Sequence, residues 1–560
     1  MAAAEQLVET PDRDGAFPRL TEDQLSRLEA EGERRPTRRE QILFREGDES
    51  YDFNVVLAGL VAVVDGFGSI DERLIAVHGP RRFLGELGLL TGQAAFFTAI
   101  VREPGEVLVV PVGRLRAIIA QDVALGDLLL RSYFLRRELL IGLGAGFRII
   151  GSRFSPDTRR LREFAARNRL PHRWIDVEED EAAEAVLRQV GVTPLEAPVV
   201  IWRGEVMRNP SNEQLARVVG LGARLPDRAG SDLLVVGAGP AGLAASVYGA
   251  SEGLSTMTLD AVASGGQAGT SARIENYLGF PSGISGAELG ERAAIQAKKF
   301  GAEIAVPTLA VALEAEEDRY MVRVADGGEL WARTVIVASG ARYRRLPVPR
   351  LEDFEGDSVY YAATMMEAQM CVGDPVVVVG GGNSAGQATL FLCRYATDVR
   401  LVVRGESLER SMSRYLVDRI ERSPVEVLLR TEVRELEGDG SLDGVIVESG
   451  SGERRRLAAR ALFVFIGAEP HTGWLAGHVK LDDHGFVLTG PAAVEALPDG
   501  AGAARAPLSL ETSLPGVLAA GDVRSGSIKR VASAVGEGSM AVQLVHRLLE
   551  RVHEHPHHVP

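Results

Sequence analysis

The sequence predicts an α/β multidomain protein. Two glycine-rich strand–turn–helix units, Asp232-Leu-Leu-Val-Val-Gly-Ala-Gly-Pro-Ala-Gly and Pro375-Val-Val-Val-Val-Gly-Gly-Gly-Asn-Ser-Ala, stand about 140 residues apart. A buried apolar run that enters a helix through glycines is the signature of a nucleotide-binding unit, and its repetition is an internal duplication. Upstream the pattern changes twice. Short alternating or apolar runs extend to about residue 112, and alternating strand and helix patterns follow to Leu221.

Size and composition bound the rest. At 560 residues the chain is long enough for about three to five domains. It is 46% hydrophobic and 25% charged, which excludes a disordered or fibrous protein. A net charge of −15 argues against nucleic acid as the main partner, because phosphate binding needs a basic face. The two cysteines, Cys371 and Cys393, are too few for a disulfide scaffold or a four-cysteine zinc site. Met1 to Asp12 has no basic residue followed by an apolar core, and Leu233–Tyr248 is too short and glycine-rich to span a membrane. A cytoplasmic protein without a membrane span is expected. His553, His555, His557 and His558 read as a polar tail, so no metal site is assigned.

The predicted elements follow in order. Strands are expected at Gln41–Arg45, Asn54–Val64, Arg73–Val77, Phe97–Arg102 and Val107–Val112, with turns at Gly47, Gly66, Gly79-Pro80 and Pro104-Gly105. That is an all-β sandwich or barrel. A helix is expected from Gly113 to about Leu140. Next come strand Phe147–Gly151, helix Asp157–Asn168, strand His172–Asp176, helix Glu179–Gln189, strands Pro198–Trp202 and Glu205–Arg208, and helix Asn212–Val219. Gly222–Ser231 reads as a linker. The expected domains are 1–146, 147–224, a first dinucleotide fold at 225–345 and 468–560, and a second at 346–467 inserted between its halves.

In the first glycine loop Gly237 permits the tight turn. Gly239 lets the backbone approach a pyrophosphate, and Gly242 allows close helix–strand packing. Asp260 ends the next strand, where a ribose hydroxyl would sit. The second loop repeats the pattern with Gly380, Gly382, Ser384 and Ala385. Its next strand, Asp398–Val403, ends in Arg404 rather than an acid. Arginine suits a 2′-phosphate, so NADPH is favoured over NADH, with Arg410 and Arg414 as further candidate contacts.

Five more segments complete a resemblance. They are Gly265-Gly266-Gln267, Ile274-Glu275-Asn276-Tyr277, Gly279-Phe280-Pro281, Ala338-Ser339-Gly340-Ala341 and Ala519-Ala520-Gly521-Asp522-Val523. With the glycine loops they make residues 232–550 resemble the low-molecular-weight thioredoxin reductase branch of the flavin disulfide oxidoreductases, with Rossmann-like FAD and NAD(P) domains. The resemblance implies extended FAD, with Gly265, Gly266 and Gln267 by the flavin ring, Asn276 near it, Gly340 close to the cofactor, and Asp522 on the ribityl chain. It places Arg530 at the start of a helix whose positive end faces the flavin. It also implies a homodimer, and rotation of the NADPH domain about hinges near Arg344–Pro349 and Gly467–Pro470.

The chain departs from that family at its chemistry. The family's Cys-x-x-Cys positions fall on Ala363 and Met366, in Ala363-Thr364-Met365-Met366-Glu367, with Glu367 in the place of the acid. Alanine and methionine form neither thiolate nor disulfide. Cys371 and Cys393 read as structural and buried, at the end of the NADPH domain away from the cofactor edge. Residues 147–221 resemble a glutaredoxin or thioredoxin fold, with Ala197-Pro198 at the cis-proline position. Their Cys-Pro-x-Cys site reads Ser155-Pro156-Asp157-Thr158. Residues 20–140 resemble a cyclic nucleotide-binding jelly roll, whose phosphate cassette begins Phe83-Leu84-Gly85-Glu86-Leu87. In that family the glutamate accepts a ribose hydroxyl and an arginine pairs with the phosphate. The arginine position is Ala95, and Arg102 lies on another strand. A vestigial or differently tuned regulatory domain is favoured, and a nucleotide ligand stays open.

The expected function is that of an FAD-dependent NADPH oxidoreductase resembling thioredoxin-disulfide reductase. Hydride passes from NADPH to FAD, and electrons then reach an acceptor the sequence does not name: oxygen, a quinone, an iron–sulfur protein or a partner's disulfide. The replaced cysteines argue against a self-contained dithiol relay. The alternative is a redox- or nucleotide-sensing flavoprotein whose N-terminal domain signals to partners.

Overall fold

The structure, a computed structural model, describes residues 7–554 apart from 70–71, 181–182, 190, 194–195, 222–229, 272, 317–318, 356–357, 362, 364, 476 and 496–504. The chain divides into two compact units, 1–224 and 225–560. The expected linker lies mostly outside the described residues.

Unit 1 begins with α1 (Glu22–Glu29), started by a capping box in which Thr21 and Gln24 each accept the other's backbone N–H. An antiparallel sheet follows: β1 (Glu33–Pro36), β2 (Ile42–Phe44), β3 (Phe53–Asp65), β4 (Arg73–His78) and β5 (Thr98–Val110), ordered β1-β5-β3-β4 with β2 also on β5. The short helix α2 (Leu87–Thr91) lies between β4 and β5. Sequence patterning splits β5 at Pro104-Gly105, but the strand runs through and bends. Its register with β3 shifts around Ala58 and Leu60. Gly59 is left-handed there (φ 85°), and a Cβ on Gly105 would lie 2.1 Å from the Ala58 carbonyl oxygen. Glycines on both strands absorb the bend that a turn would otherwise make. The single helix expected over Gly113–Leu140 is likewise two, α3 (Val112–Gln121) and α4 (Val123–Gly142). Asp122 separates them and caps α4 by accepting the Leu125 N–H at 3.1 Å.

The second part of unit 1 holds β6 (Phe147–Gly151), α5 (Pro156–Arg167), β7 (His172–Asp176), α6 (Ala183–Gln189), β8 (Val199–Trp202), β9 (Glu205–Arg208) and α7 (Asn212–Val218). Its sheet is ordered β7-β6-β8-β9, with β6 parallel to β7 and antiparallel to β8. The Ala197–Pro198 peptide is cis. Phe96, Phe97 and Leu140 share one buried cluster with Phe147, Phe164, Trp202, Leu215 and Val219, so the two parts of unit 1 have a common core.

Unit 2 opens with parallel strands β10 (Gly230–Val236), β11 (Thr256–Leu259) and β12 (Glu303–Ala305), linked by α8 (Pro240–Ser251) and α9 (Gly286–Lys299). The antiparallel strands β13 (Ala310–Ala315), β14 (Tyr320–Val324) and β15 (Glu329–Val337) complete the sheet, with β15 parallel to β10. The chain leaves through β16 (Ala341–Tyr343), passes α10 (Leu351–Phe354), and forms a second parallel sheet ordered β17-β24-β18-β19-β20. These strands are β17 (Val359–Tyr360), β18 (Pro375–Val379), β19 (Asp398–Val403), β20 (Glu426–Leu429) and β24 (Ala461–Val464). Around them lie α11 (Met365–Met370), α12 (Asn383–Leu392), α13 (Arg414–Glu421) and a meander of β21 (Thr431–Asp439), β22 (Ser441–Ser449) and β23 (Arg454–Ala458). The chain returns through β25 (Ala468–Pro470), which pairs with β16. After α14 (Pro491–Glu495), β26 (Val517–Ala519) joins β15, and α15 (Val531–Glu554) packs on α8. There a Cβ on Gly538 would lie 2.1 Å from the Ala241 carbonyl oxygen. No described helix is long and apolar enough to cross a membrane, and no cluster of three metal-binding side chains occurs among the described residues. His555, His557 and His558 lie outside them.

Glu46 sits where the two parts of unit 1 meet, beside Asp65 and Arg203. Burial, reinforced by Asp65, raises its pKa from 4.5 to about 7. The folded state therefore holds a proton that the unfolded chain releases, and stability falls as pH rises through that window. Glu46→Gln is expected to stabilise unit 1 by about 3 kcal/mol at pH 8 and by almost nothing at pH 4. Thermal unfolding of both proteins at the two pH values checks this.

Candidate functional site

The first glycine loop is held by backbone contact. Gly237 (φ 112°) lies so close to β15 that a Cβ would sit 2.2 Å from the Ala338 carbonyl oxygen, and one on Gly242 would sit 1.7 Å from that of Gly237. The second segment, Gly265-Gly266-Gln267, docks directly on this loop. The Gly265 N–H donates to the Ala238 carbonyl at 2.7 Å. A Cβ on Gly266 would lie 2.7 Å from the Gly239 Cα, and one on Gly290 of α9 would lie 2.6 Å from the Gly265 Cα. Three backbone segments thus meet with no side chain between them beside the start of α8.

Asp260 serves this arrangement differently from the sequence expectation. One carboxylate oxygen accepts the Ala238 N–H at 2.8 Å, and the other accepts the N–H groups of Val262 (2.9 Å) and Ala263 (3.0 Å). The side chain is thus committed to shaping the loop, and a ribose hydroxyl would have to share its oxygens. Gln267 is the opposite case. Its Oε1 is buried and has no hydrogen-bond partner. A buried acceptor left unmade costs free energy, so its position fits a donor on a bound group. Asn276 is exposed. Gly340 (φ 66°) is held by His471, whose N–H donates to its carbonyl at 3.0 Å.

Gly521 (φ 77°) donates its N–H to Glu537 at 2.7 Å. The next residue, Asp522, is half-buried, and its carboxylate receives no protein hydrogen bond among the described residues. Burial holds its pKa above the usual carboxylate value, Lys529 opposes that shift, and Glu537 adds to it. Lys529 is the residue sequence reasoning missed. Its ammonium donates to the Asp522 carbonyl oxygen and to Ser527 Oγ, and it lies 4.4 Å from the centre of the Phe486 ring. Arg530, expected as a cofactor-binding residue at the start of this helix, is exposed and has no carboxylate partner among the described residues. Because α15 starts at Val531, Lys529 occupies the preceding turn and folds back on Asp522.

The second loop has the same construction and a more open mouth. Gly380 (φ 144°) lies against the Phe465 carbonyl, where a Cβ would approach to 2.3 Å, while the Cβ position of Gly382 faces open space. Ala385 is fully buried, and Ser384 is exposed at the start of α12. Arg404 and Arg410 are exposed and without carboxylate partners among the described residues. Arg414 is already paired, with Asp418 at 3.2 Å and Glu409 at 3.7 Å. Of the three candidate arginines, two keep an unneutralised charge.

A cleft separates the two sheets of unit 2. Thr270, Glu275 and Tyr343 line one side, Ser384, Gln387, Phe391, Arg419 and Phe465 the other. Glu275 and Arg419 form an ion pair across it. Ala363 opens into the same cleft, so an apolar methyl stands where a relay thiol would be needed. Thr364 and the Met366 side chain lie outside the described residues. Glu367 is buried. Cys371 and Cys393 are both free thiols in one apolar cluster with Leu392 and Val376, at the end of β18 and α12 away from the glycine loop. Burial, with Asp374 and Glu367, pushes Cys371 up to about 12, and burial also raises Cys393. Both stay protonated at neutral pH and are poor nucleophiles. In unit 1, Ser155 caps α5 by accepting the Thr158 N–H at 3.3 Å, Thr158 is buried, and Arg102 is spent on Glu40 at 2.8 Å.

Two glycine-loop nucleotide folds, the second inserted between the halves of the first, define an oxidoreductase that binds two nucleotide cofactors. The sequence profile of the pyridine nucleotide-disulphide oxidoreductases matches residues 231–538, more than half of the chain, and the chain belongs to that family. It is an FAD-dependent pyridine nucleotide oxidoreductase. The profile of the cyclic nucleotide-binding domain matches residues 34–122. The chain is 32% identical to thioredoxin reductase of Bacillus subtilis over 325 residues, 58% of this chain and 96% of that protein. It is 30% identical to the 34.2 kDa protein in the rubredoxin operon of Clostridium pasteurianum, over 57% of this chain and 97% of that one. Among solved structures, thioredoxin reductase of Lactococcus lactis in its FR conformation aligns with a TM-score of 0.52 at 26% identity, over 57% of this chain and 99% of that one. Thioredoxin reductase of T. acidophilum aligns with a TM-score of 0.52 at 28% identity, over 58% and 99%.

Gly266→Ala tests the backbone cradle. The added methyl must displace Gly239 and strains a left-handed residue (φ 53°). The purified variant is expected to retain its far-ultraviolet circular dichroism and to carry roughly tenfold less flavin by visible absorbance.

Proposed function

We propose that this protein is an NADPH oxidase or reductase of the thioredoxin reductase type that passes electrons to an acceptor outside its own chain. The observation that supports this reading is the pair of glycine loops in one unit, together with Ala363 lining the cleft at the position of a relay thiol. FAD, when bound, takes a hydride from NADPH and delivers electrons to the acceptor. The residues supply binding and orientation. Gly239 and Gly242 present their N–H groups to a pyrophosphate at the start of α8, while Gly237, whose N–H donates to the Leu259 carbonyl at 2.7 Å, makes the turn. Gln267 offers its unspent carbonyl oxygen to a donor on the flavin ring. Asp522 accepts ribityl hydroxyls, with Lys529 holding its backbone in place. Gly380, Gly382 and Ser384 receive the phosphates of NADPH, and Arg404 with Arg410 takes the 2′-phosphate. The paired strands β16 and β25 are the two crossings between the halves of unit 2, and their ends are the hinges for rotation.

The finer fold readings belong to the same proposal. Residues 20–140 form a jelly roll. Residues 147–221 form a thioredoxin-like module, supported by the β7-β6-β8-β9 order and by cis-Pro198 and Thr158 both lying against Gly151. Two free thiols suit a reducing cytoplasm. A homodimer follows the family resemblance.

Anaerobic addition of NADPH is expected to bleach the flavin spectrum, while thioredoxin is not reduced at a useful rate. A flavin left oxidised by both NADPH and NADH would overturn the hydride step, and rapid thioredoxin reduction would overturn the external acceptor. The double variant Arg404→Ala, Arg410→Ala is expected to raise KM for NADPH about 10- to 100-fold and to leave KM for NADH nearly unchanged, as steady-state kinetics with both nucleotides would show.

A further inference from the structure

We propose that helix α4 is a built-in ligand of the Glu86 cassette, so that unit 1 is held closed by its own side chains and takes no cyclic nucleotide. Glu86 is 5% exposed, and its Oε2 accepts both Nε (3.1 Å) and Nη2 of Arg137. The Arg137 side chain is completely buried. Two further donors are also spent: Nη2 on Gln93 Oε1 at 3.0 Å, and Nη1 on the Arg169 carbonyl at 2.9 Å. Its guanidinium lies 5.5 Å from the centre of the Phe96 ring. Arg137 therefore fills the place of a hydroxyl donor on a ligand and ties the cassette to the second part of unit 1.

The preceding residues of α4 hold the rest of the cassette entrance. Arg136 donates to the carbonyls of Gly85 (2.8 Å) and Phe83 (3.1 Å), and the Tyr133 hydroxyl donates to that of Leu84 (3.3 Å). Residues 83–86 thus each receive a hydrogen bond from this one helix. Glu86 Oε1 is the remaining acceptor, and it faces the backbone of α2, where a Cβ on Gly88 would lie 2.2 Å away. A nucleotide hydroxyl has no approach to it there.

The phosphate end is closed too. Ala95, in the position that needs a cation, is 1% exposed. Its N–H donates to the Asp48 carbonyl at 3.0 Å and its carbonyl accepts the Gly47 N–H at 2.6 Å. The Ala94 N–H donates to Val219 at 3.4 Å, and Phe96 packs on Trp202 with 5.7 Å between ring centres. A nucleotide would have to expel Arg137, leave a buried guanidinium without its carboxylate, and break a core shared by both parts of the unit.

The test uses the full chain with cAMP and cGMP as probes. Calorimetric titration to about 1 mM nucleotide is expected to give no saturable heat, and Tm is expected to move by less than about 1 °C. Hydrogen exchange of the ligand-free protein is expected to show amides 84–96 protected as strongly as those of β3. Saturable binding below about 100 µM, or a cassette that exchanges fast alone and slows with nucleotide, would overturn the proposal. In Arg137→Met, exchange is expected to accelerate about tenfold or more in both 84–96 and 165–170. Wild-type exchange in that folded variant would also overturn it, and should the variant not fold, the wild-type titration and exchange remain decisive.

Discussion

The contact between the backbones of Gly239 and Gly266 is the constraint on which unit 2 depends. A Cβ on Gly266 would lie 2.7 Å from the Gly239 Cα, so a side chain there would push the two loops apart. Without one the loop 237–242 and the segment 264–267 lie against one another, and the Gly265 N–H closes the contact on Ala238. Asp260 then has a defined task, since its carboxylate can reach the Ala238 N–H only if the loop sits there. The same economy continues behind α8, where Gly538 lets α15 come within contact of the Ala241 carbonyl. That approach carries Gly521 and Asp522, through Glu537, to the mouth of the first loop. Small residues at one point therefore position polar groups from three distant segments.

The cleft is where the proposed reading departs from a resident dithiol relay. An inserted nucleotide fold needs only its glycine loop, a free cation and two connections, and all are in place. The relay needs two thiolates beside the cleft. What stands there is Ala363, while the two real thiols are kept protonated in the apolar floor beneath α12. The Glu275–Arg419 pair and the hydroxyl contact of Thr270 with Tyr343 at 3.4 Å join the two sides of the cleft and must yield for any rotation about β16 and β25.

The sequence made the loops legible because their requirements are local: a glycine is needed at the residue where backbones touch or φ is positive. Gly237, Gly242, Gly266 and Gly380 could be read one by one. The bend of β5 was not legible, because Pro104-Gly105 looks like a turn until Gly59 on the opposite strand takes up the strain. The break at Asp122 was readable in principle, since aspartate is a poor helix interior and a good cap. Lys529 was not singled out, because its contact with the Asp522 carbonyl depends on where α15 starts and how the preceding turn folds back. The pairing of Glu86 with Arg137, 51 residues on, has no local signature at all. Nor does the commitment of Asp260, whose three hydrogen bonds depend on how the neighbouring loop folds.

Spent and unspent hydrogen-bonding capacity separates the two nucleotide-like sites of this chain. In unit 2 the polar groups that face the cofactor positions keep their capacity. Gln267 Oε1 has no partner, Asp522 receives no protein donor among the described residues, and Arg404 and Arg410 have no carboxylate. Such groups cost stability in the empty protein and return it on binding, which is how a binding site differs from a core. In unit 1 most of the corresponding groups are satisfied from within: one oxygen of Glu86 by Arg137, Arg102 by Glu40, and both backbone groups of Ala95 by the turn at Gly47 and Asp48, while the other Glu86 oxygen is shut against the backbone of α2. A ligand there would gain only what it could take from bonds already made. Family membership can be read at both sites, but only the first has the free energy of association still available.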